Sequence, residues 1–347
     1  LLSGRTAGCV YQRDGHPNAY LLAEKLRQLH AAERGAVTSS GMAALAAALL
    51  SRLAAGDHAV ISSRMYGKTL GLFAEAQRLG IERTTVDTWD ISAVRKAVRP
   101  NTKLLLAETI ANPLLEVGDV AALSEIAHQA KAALLIDNTF ASPIVCRPLA
   151  LGADLVMESL TKVLNGHSDV MLGFLGGREA MWERVPQVIS TWGLASSPFD
   201  CWLAQRGLVT AHLRVERACH NALAAAEFLK SQAPRVAAVH YPGLTNHPHH
   251  AVAQRQFGGL FGTIVTFDLA GGRSAADAFI ARANQIPFCP SLGEVSTTLS
   301  HPETTSHRGL TTEQRSALGI TGGTIRLSVG TESIDFIRDA LNEGLSN

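Results

Sequence analysis

Apolar positions in the first half of the chain fall into two alternating patterns. From Ala19 the spacing of Leu21, Leu22, Leu26 and Leu29 follows the turn of a helix, and Asn18 stands where a cap is wanted, so the pattern predicts a helix over 19–29. Short apolar runs follow at 58–62, 103–108, 133–137 and 153–158. Each is too short for a helix and lacks polar alternation, which predicts strands buried on both faces of a mainly parallel sheet. The intervening segments 70–79 and 120–132 read as crossover helices. A long helical stretch runs from Cys201 to about Lys230, and beyond it 263–269 and 324–329 alternate as strands with one face toward solvent or a site. The expected fold class is α/β, a large mainly parallel sheet domain followed by a smaller C-terminal α/β domain. Ligands of such sheets sit at the carboxyl ends of the strands, where Glu108 and Asp137 fall.

Composition narrows the class of molecule. With 347 residues, 46% of them hydrophobic, the chain can bury a sizeable core and divide into two domains. The 31 basic and 30 acidic residues leave a net charge of +1, no electrostatic case for nucleic acid or an anionic membrane. Five cysteines, at 9, 146, 201, 219 and 289, show no CxxC pair, so neither a disulfide framework nor a zinc cluster is expected. No run approaches the roughly 18 apolar residues of a membrane span, and Arg5 interrupts the N-terminus, which is no secretory signal. A cytoplasmic protein is expected, and its abrupt first residue leaves room for an arm upstream.

The sharpest chemistry lies in Ser159-Leu-Thr161-Lys162, 25 residues beyond the strand ending in Asp137. A lysine and a carboxylate delivered by two strands of one sheet are what pyridoxal 5'-phosphate chemistry requires. The lysine forms a Schiff base with the aldehyde, and the carboxylate keeps the pyridine nitrogen protonated so that the ring accepts carbanion electrons. Ser39-Ser40-Gly41-Met42 opens an alanine-rich helix, whose first N–H groups and dipole suit a phosphate. Tyr66 follows a strand and suits stacking on a ring. Arg326 stands between Ile325 and Leu327, so it projects away from their core face, and its planar fork matches a substrate carboxylate.

Two other readings compete. Residues 62–69 nearly reproduce a P-loop, with Gly67-Lys68-Thr69 before a helix, but Ser62 replaces the first glycine and neither Lys162 nor Arg326 is explained. His247-Pro-His249-His250 suggests a metal, yet it follows a Tyr-Pro-Gly turn and has no cysteine or carboxylate nearby. A solvated loop and no metal site are expected there.

Taken together, Tyr11-Gln-Arg13, Ser40-Gly41-Met42, Tyr66-Gly67, Asn112-Pro113, Asp137-Asn-Thr139, Lys162 with Asn165-Gly-His-Ser-Asp169, Tyr241-Pro-Gly, Ser291-Leu-Gly293 and Ile325-Arg326-Leu resemble, over nearly the whole chain, the Cys/Met-metabolism PLP-dependent enzymes of the transsulfuration group. The resemblance implies a PLP-dependent transferase fold type I. It divides the chain into an arm at 1–15 serving the neighbouring subunit, a cofactor-binding domain at 16–213 and a C-terminal domain at 214–347. It implies Lys162 as the cofactor lysine, Asp137 at the pyridine nitrogen, Tyr66 stacked on the ring as acid or base, and Thr139 near the other face. Ser40, Gly41, Met42, Ser159 and Thr161 would hold the phosphate, reached from a neighbouring subunit by Tyr11 and Arg13. Asn112, Ser291 and Arg326 would bind the amino-acid carboxylate. A homodimer or homotetramer acting on a small amino acid is implied.

The expected activity is γ-elimination or γ-replacement on cystathionine or an O-acylhomoserine, with methionine γ-lyase, cystathionine β-lyase and O-acylhomoserine sulfhydrylase as alternatives. Lys68 stands where methionine γ-lyases carry cysteine, and Pro290 stands where cystathionine γ-enzymes often carry glutamate and β-lyases tyrosine. The loop at 300–307, with His301, Glu303 and His307, is the expected reader of the distal end of the substrate.

Overall fold

The computed structural model describes residues 8–346, so positions 1–7 of the expected arm lie outside the described residues. The apolar runs do form buried strands. β1 (Arg34–Thr38), β2 (His58–Ser62), β3 (Glu82–Val86), β4 (Thr102–Glu108), β5 (Ala133–Asp137), β6 (Leu155–Ser159) and β7 (Gly173–Gly177) build one sheet in the order β1-β7-β6-β5-β4-β2-β3. Only β7 runs against its neighbours, so the carboxyl ends of the other six share one edge and β7 begins there. This sheet belongs to a unit made of the chain up to Thr109 and Gly118–Val209.

Side-chain alternation assigns the two faces. Helix α2 (Gly41–Arg52) lays Ala44, Leu45, Ala48 and Leu49 against Leu155, Met157 and Leu175. On the opposite face Val60, Leu105, Leu134 and Ile136 meet Leu123, Ile126 and Ala127 of the helix Val120–Gln129. Each Leu, Ile, Val or Met side chain among these contributes about 1.5–3 kcal/mol when removed from water, so strand register is strongly fixed. Helix α1 (Pro17–His30) is capped by His16, whose Nδ1 accepts from Ala19 N at 3.1 Å. The expected cap, Asn18, instead donates to Pro198 O at 2.9 Å. Helix α3 (Gly67–Ala76) follows β2 and carries Lys68 exposed and Thr69 buried.

A second unit comprises Ile110–Val117 and the chain from Thr210 onward. The long helical stretch expected over 201–230 is two helices, Pro198–Val209 and Ala211–Ser231, broken at Thr210 where the units change. β8 (Val236–His240), β9 (Ile264–Leu269), β10 (Thr298–Ser300) and β11 (Thr324–Ser328) form an antiparallel sheet in the order β10-β11-β9-β8. Both faces of β9 and β11 are covered, rather than one, as Val265, Phe267, Ile325 and Leu327 enter a core with Phe279, Ile337 and Leu341 while Thr266 and Arg326 are buried opposite. The histidine run is packed, not solvated. His247 is buried, His249 Nδ1 accepts from Val117 N at 3.0 Å, and His250 Nδ1 lies 2.8 Å from Pro242 O. Among the described residues no group of His, Cys, Asp or Glu is arranged to hold a metal, and no helix is long and apolar enough to cross a membrane.

Candidate active site

The parallel strands end in the residues that carry chemistry. Asp137 closes β5, and its Oδ1 accepts from Thr139 N at 3.0 Å and Thr139 Oγ1 at 2.6 Å. Thr139 Oγ1 in turn accepts from Ser159 N at 3.0 Å, so one hydroxyl ties the end of β5 to the end of β6. Burial pushes the Asp137 carboxyl upward, and the two bonds from Thr139 pull it back. A cation beside Asp137 would favour its ionised form. Beyond β6 the chain turns at once: Lys162 N donates to Ser159 O at 3.2 Å and Gly166 N to Lys162 O at 2.9 Å, leaving Lys162 half-buried near the sheet edge.

The turn after β1 is a cradle for an anion. Ser40 is the N-cap of α2, its Oγ accepting from Ala43 N at 3.0 Å and keeping its own proton to donate. Gly41 N and Met42 N lie in the first turn, where no intrahelical acceptor exists. The cradle is close-built. A Cβ on Gly41 would lie 2.8 Å from Ser159 Cβ, and one on Gly173, at the start of β7, only 2.2 Å from Ser40 O. Thr161 Oγ1 is engaged with the Leu172 main chain, accepting from N at 3.2 Å and donating to O at 3.3 Å. Its remaining capacity toward a phosphate is as an acceptor, which a phosphate dianion does not need.

Tyr66 is the N-cap residue of α3, half-exposed, and its N–H donates to Glu108 Oε1 at 2.8 Å. Glu108 lies beside Asp137 in the β4–β5 register, so one strand end positions the tyrosine next to the strand that carries the carboxylate. Tyr11 and Arg13 are held together on an exposed turn. The guanidinium sits 5.1 Å from the Tyr11 ring centroid and donates to Ser190 O at 2.9 Å.

In the second unit, Arg326 projects from β11 opposite the core, as the alternation predicts, but it is buried rather than solvated. Its Nη1 donates to Asn112 Oδ1 at 2.9 Å and its Nη2 to Ser291 O at 3.1 Å and Pro290 O at 3.4 Å. These acceptors are neutral, and buried Nε has no hydrogen-bond partner among the described residues. Burial lowers the guanidinium to about 10, so it stays cationic at neutral pH. A buried cation held by neutral carbonyls retains an electrostatic demand that a carboxylate satisfies. Thus Asn112, Ser291 and Arg326 form one cluster. The loop at 300–307 is stapled instead: His301 is buried with Nε2 2.8 Å from Gly322 O, and Glu303 lies 3.7 Å from Arg273 and 3.8 Å from Arg315.

Gly173 and the doubly bonded role of Thr139 escape a reading of the sequence, because both depend on which strands adjoin. The residues at the sheet edge fit pyridoxal phosphate. A tight helix N-terminus suits a phosphate, an acidic side chain suits the ring nitrogen, and a lysine stands three residues beyond β6.

Comparison with known proteins agrees. A sequence-family model described as Cys/Met metabolism PLP-dependent enzyme matches residues 2–346. The O-succinylhomoserine sulfhydrylase of Pseudomonas aeruginosa is 39% identical, covering 99% of this chain and 85% of that protein. The L-methionine gamma-lyase of Porphyromonas gingivalis is also 39% identical, over 99% of this chain and 87% of its own. A solved cystathionine gamma-lyase from Micromonospora echinospora superposes with a TM-score of 0.94 at 38% identity, covering 99% and 90% of the two chains.

Proposed function

The chain belongs to the Cys/Met metabolism PLP-dependent enzymes, and from that premise we propose that it catalyses γ-elimination or γ-replacement on cystathionine or an O-acylhomoserine. It is a pyridoxal-phosphate-dependent lyase or transferase of sulfur amino-acid metabolism. The observation that carries the reading is the joint placement of Lys162 and Asp137 at the carboxyl edge of one sheet, beside the cradle at Ser40-Gly41-Met42. The choice of the γ-carbon is supported by relatives named for γ-position chemistry, while Lys68 and Pro290, which lack the marks of methionine γ-lyases and cystathionine enzymes, bear only on the distal group of the substrate.

Bound at this edge, the cofactor supplies an electron sink for negative charge developing at the substrate α-carbon. The remaining work belongs to the protein. Lys162 Nζ would hold the cofactor and would take the proton from the substrate α-carbon. Asp137, steadied by Thr139, offers a negative charge for the ring nitrogen. The Tyr66 hydroxyl exchanges a proton with the departing or arriving γ-group, its backbone fixed by Glu108. Arg326, with Asn112 and Ser291, takes the α-carboxylate. The proposed assembly is a homodimer or homotetramer in which Tyr11 and Arg13 serve the phosphate of a neighbouring copy, a role for which their exposure is suited.

The test is a product screen by mass spectrometry with cystathionine, methionine, and O-acetyl- and O-succinylhomoserine, each with and without cysteine or sulfide. Turnover of the homoserine esters or cystathionine at the γ-carbon is expected, and turnover only of methionine or of β-substituted substrates would refute it. Borohydride reduction of the holoenzyme should fix cofactor mass on the peptide containing Lys162. Arg326→Ala should raise KM for all amino-acid substrates alike. Mixed dimers of Arg13→Ala and Lys162→Ala should recover activity absent from either parent.

A further inference from the structure

Behind the cofactor edge lies a buried acid that the chemistry above does not use. Glu158 sits on β6 between Met157, which pairs with Asp137, and Ser159. Strand alternation turns Met157 and Ser159 toward α2 and Glu158 to the opposite face, where α1 ends. There His30, the last residue of α1, stacks on Phe174 of β7 with ring centroids 5.1 Å apart and planes inclined by 19°. His30 Nε2 lies 3.0 Å from Glu158 Oε2, and both side chains have no exposed surface. The contact is off the line of a hydrogen bond, and none of the four polar atoms has a well-aligned partner among the described residues.

Four charge states are conceivable for such a pair, and an imidazolium beside a protonated acid is disfavoured by burial and by the charge of Arg147. An imidazolium–carboxylate pair would remove two ions from water, at a cost of several kcal/mol for each, without the aligned bonds that offset it. Arg147, the other charged group that bears on His30, opposes its protonation. A lone Glu158 carboxylate would place a second negative charge across one sheet layer from Asp137, on the neighbouring strand. The remaining state is a neutral acid against a neutral imidazole.

We propose that Glu158 is a positioning residue that holds a proton against His30, and so reserves the negative charge at this end of the sheet for Asp137. The titration of both groups accords with this. Burial, helped by Arg147, drives His30 down to about 3, and burial, then the charge of Asp137, drives Glu158 well above the usual carboxylate range. Both shifts favour the uncharged forms. The significance assigned to Asp137 rests on the pyridoxal phosphate reading, whereas the protonation of Glu158 does not.

The test uses the holoenzyme and two readouts. Infrared spectroscopy at neutral pH should show a buried carboxylic-acid C=O band that Glu158→Gln removes. His30→Gln should shift that band, a second assignment should the first variant not fold. Loss of a carboxylate band instead of an acid band would overturn the proposal. The visible absorbance of the lysine-bound cofactor, followed against pH, supplies the second readout. Glu158→Gln preserves a neutral side chain of the same shape, so the acid limb of the profile should stay in place while any alkaline limb due to Glu158 disappears. An acid limb displaced by about one pH unit or more, tenfold in the equilibrium, would show that a charge had been removed and would overturn the proposal. Failure of the wild-type protein to take up cofactor, with the acid band present, would count against the cofactor reading and leave the neutral pair standing.

Discussion

Gly173→Ala probes the anion cradle from beneath. The methyl group would lie 2.2 Å from Ser40 O, 2.6 Å from Ser40 C and 2.8 Å from Gly41 N, all main-chain atoms that no rotamer change can withdraw. Restoring ordinary contact requires about 1 Å of movement between β7 and the start of α2, judged against a normal separation of about 3.5 Å. α2 is packed by Ala44, Leu45 and Ala48 onto Leu155 and Leu175 and resists that movement, so an overpacking cost of about 1–3 kcal/mol is expected. For a unit of this size, that lowers the melting temperature by about 2–4 °C per kcal/mol. The displaced N–H groups of Gly41 and Met42 would each lose part of a charge-assisted bond worth about 1.5–3 kcal/mol. A cofactor dissociation constant weakened by about tenfold to a hundredfold follows, since about 1.4 kcal/mol is a factor of ten. Thermal melts of the apoprotein and a fluorescence titration with pyridoxal phosphate measure the two effects. Gly71→Ala is the control: its added Cβ meets nothing within 4 Å in mid-helix, so it should stabilise by about 0.5–1 kcal/mol. A Gly173→Ala protein that binds cofactor and melts as wild type does would refute the argument that this glycine sets the cradle.

Thr139→Val removes both the bond that steadies Asp137 and the acceptor of Ser159 N, so the Asp137 carboxyl should rise further; the acid limb of the cofactor's visible absorbance should move to higher pH, and an unmoved limb would contradict the assignment. His30, depressed to about 3 from 6.5, binds fewer protons folded than unfolded in that window, so its contribution to stability is complete above about 6.5 and lost as pH falls toward 3. The loss is bounded at about 5 kcal/mol, and denaturant titrations of wild type and His30→Gln should diverge on acidification by some part of it. Burial raises the Cys146 and Cys219 thiols to about 12, whereas Cys9 is exposed. Alkylation of the native protein followed by peptide mass mapping should label Cys9 and spare the other two.

Much of the cofactor edge is legible in the sequence because it is local. Asp137 ends an unbroken apolar run, and Lys162 follows the next one in a short motif. Arg326 is equally readable, since Ile325 and Leu327 define its face by alternation alone. What escapes is set by neighbours. β7 reads Gly-Phe-Leu-Gly-Gly, and its glycines, which make room for Ser40 and for the Phe174 ring, look like loop residues until α1 and α2 are in place. β1 and β3 carry too few apolar residues to announce themselves, since β3 lies at the edge of the sheet and is only part-buried. The meeting of His30 with Glu158 escapes because the helix end and the strand that join them are far apart in sequence. The histidine run looks solvated for the same reason: its partners Leu114 and Val117 come from a segment that precedes it by more than a hundred residues.

That segment, 110–117, has a consequence for how such a gene can be divided. It is encoded between β4 and β5 of the first unit, yet it supplies Asn112 to Arg326, Pro113 O to Thr266 Oγ1 at 2.6 Å, and Val117 N to His249. During synthesis these acceptors and donors wait for His249, Thr266 and Arg326, each more than a hundred residues later, before they are satisfied. A chimera made by one crossover at Thr210 inherits Arg326 from one parent and its Asn112 support from the other. The inheritable module is therefore the C-terminal unit together with eight residues spliced into the middle of its neighbour, and recombination that respects the fold needs three junctions rather than one.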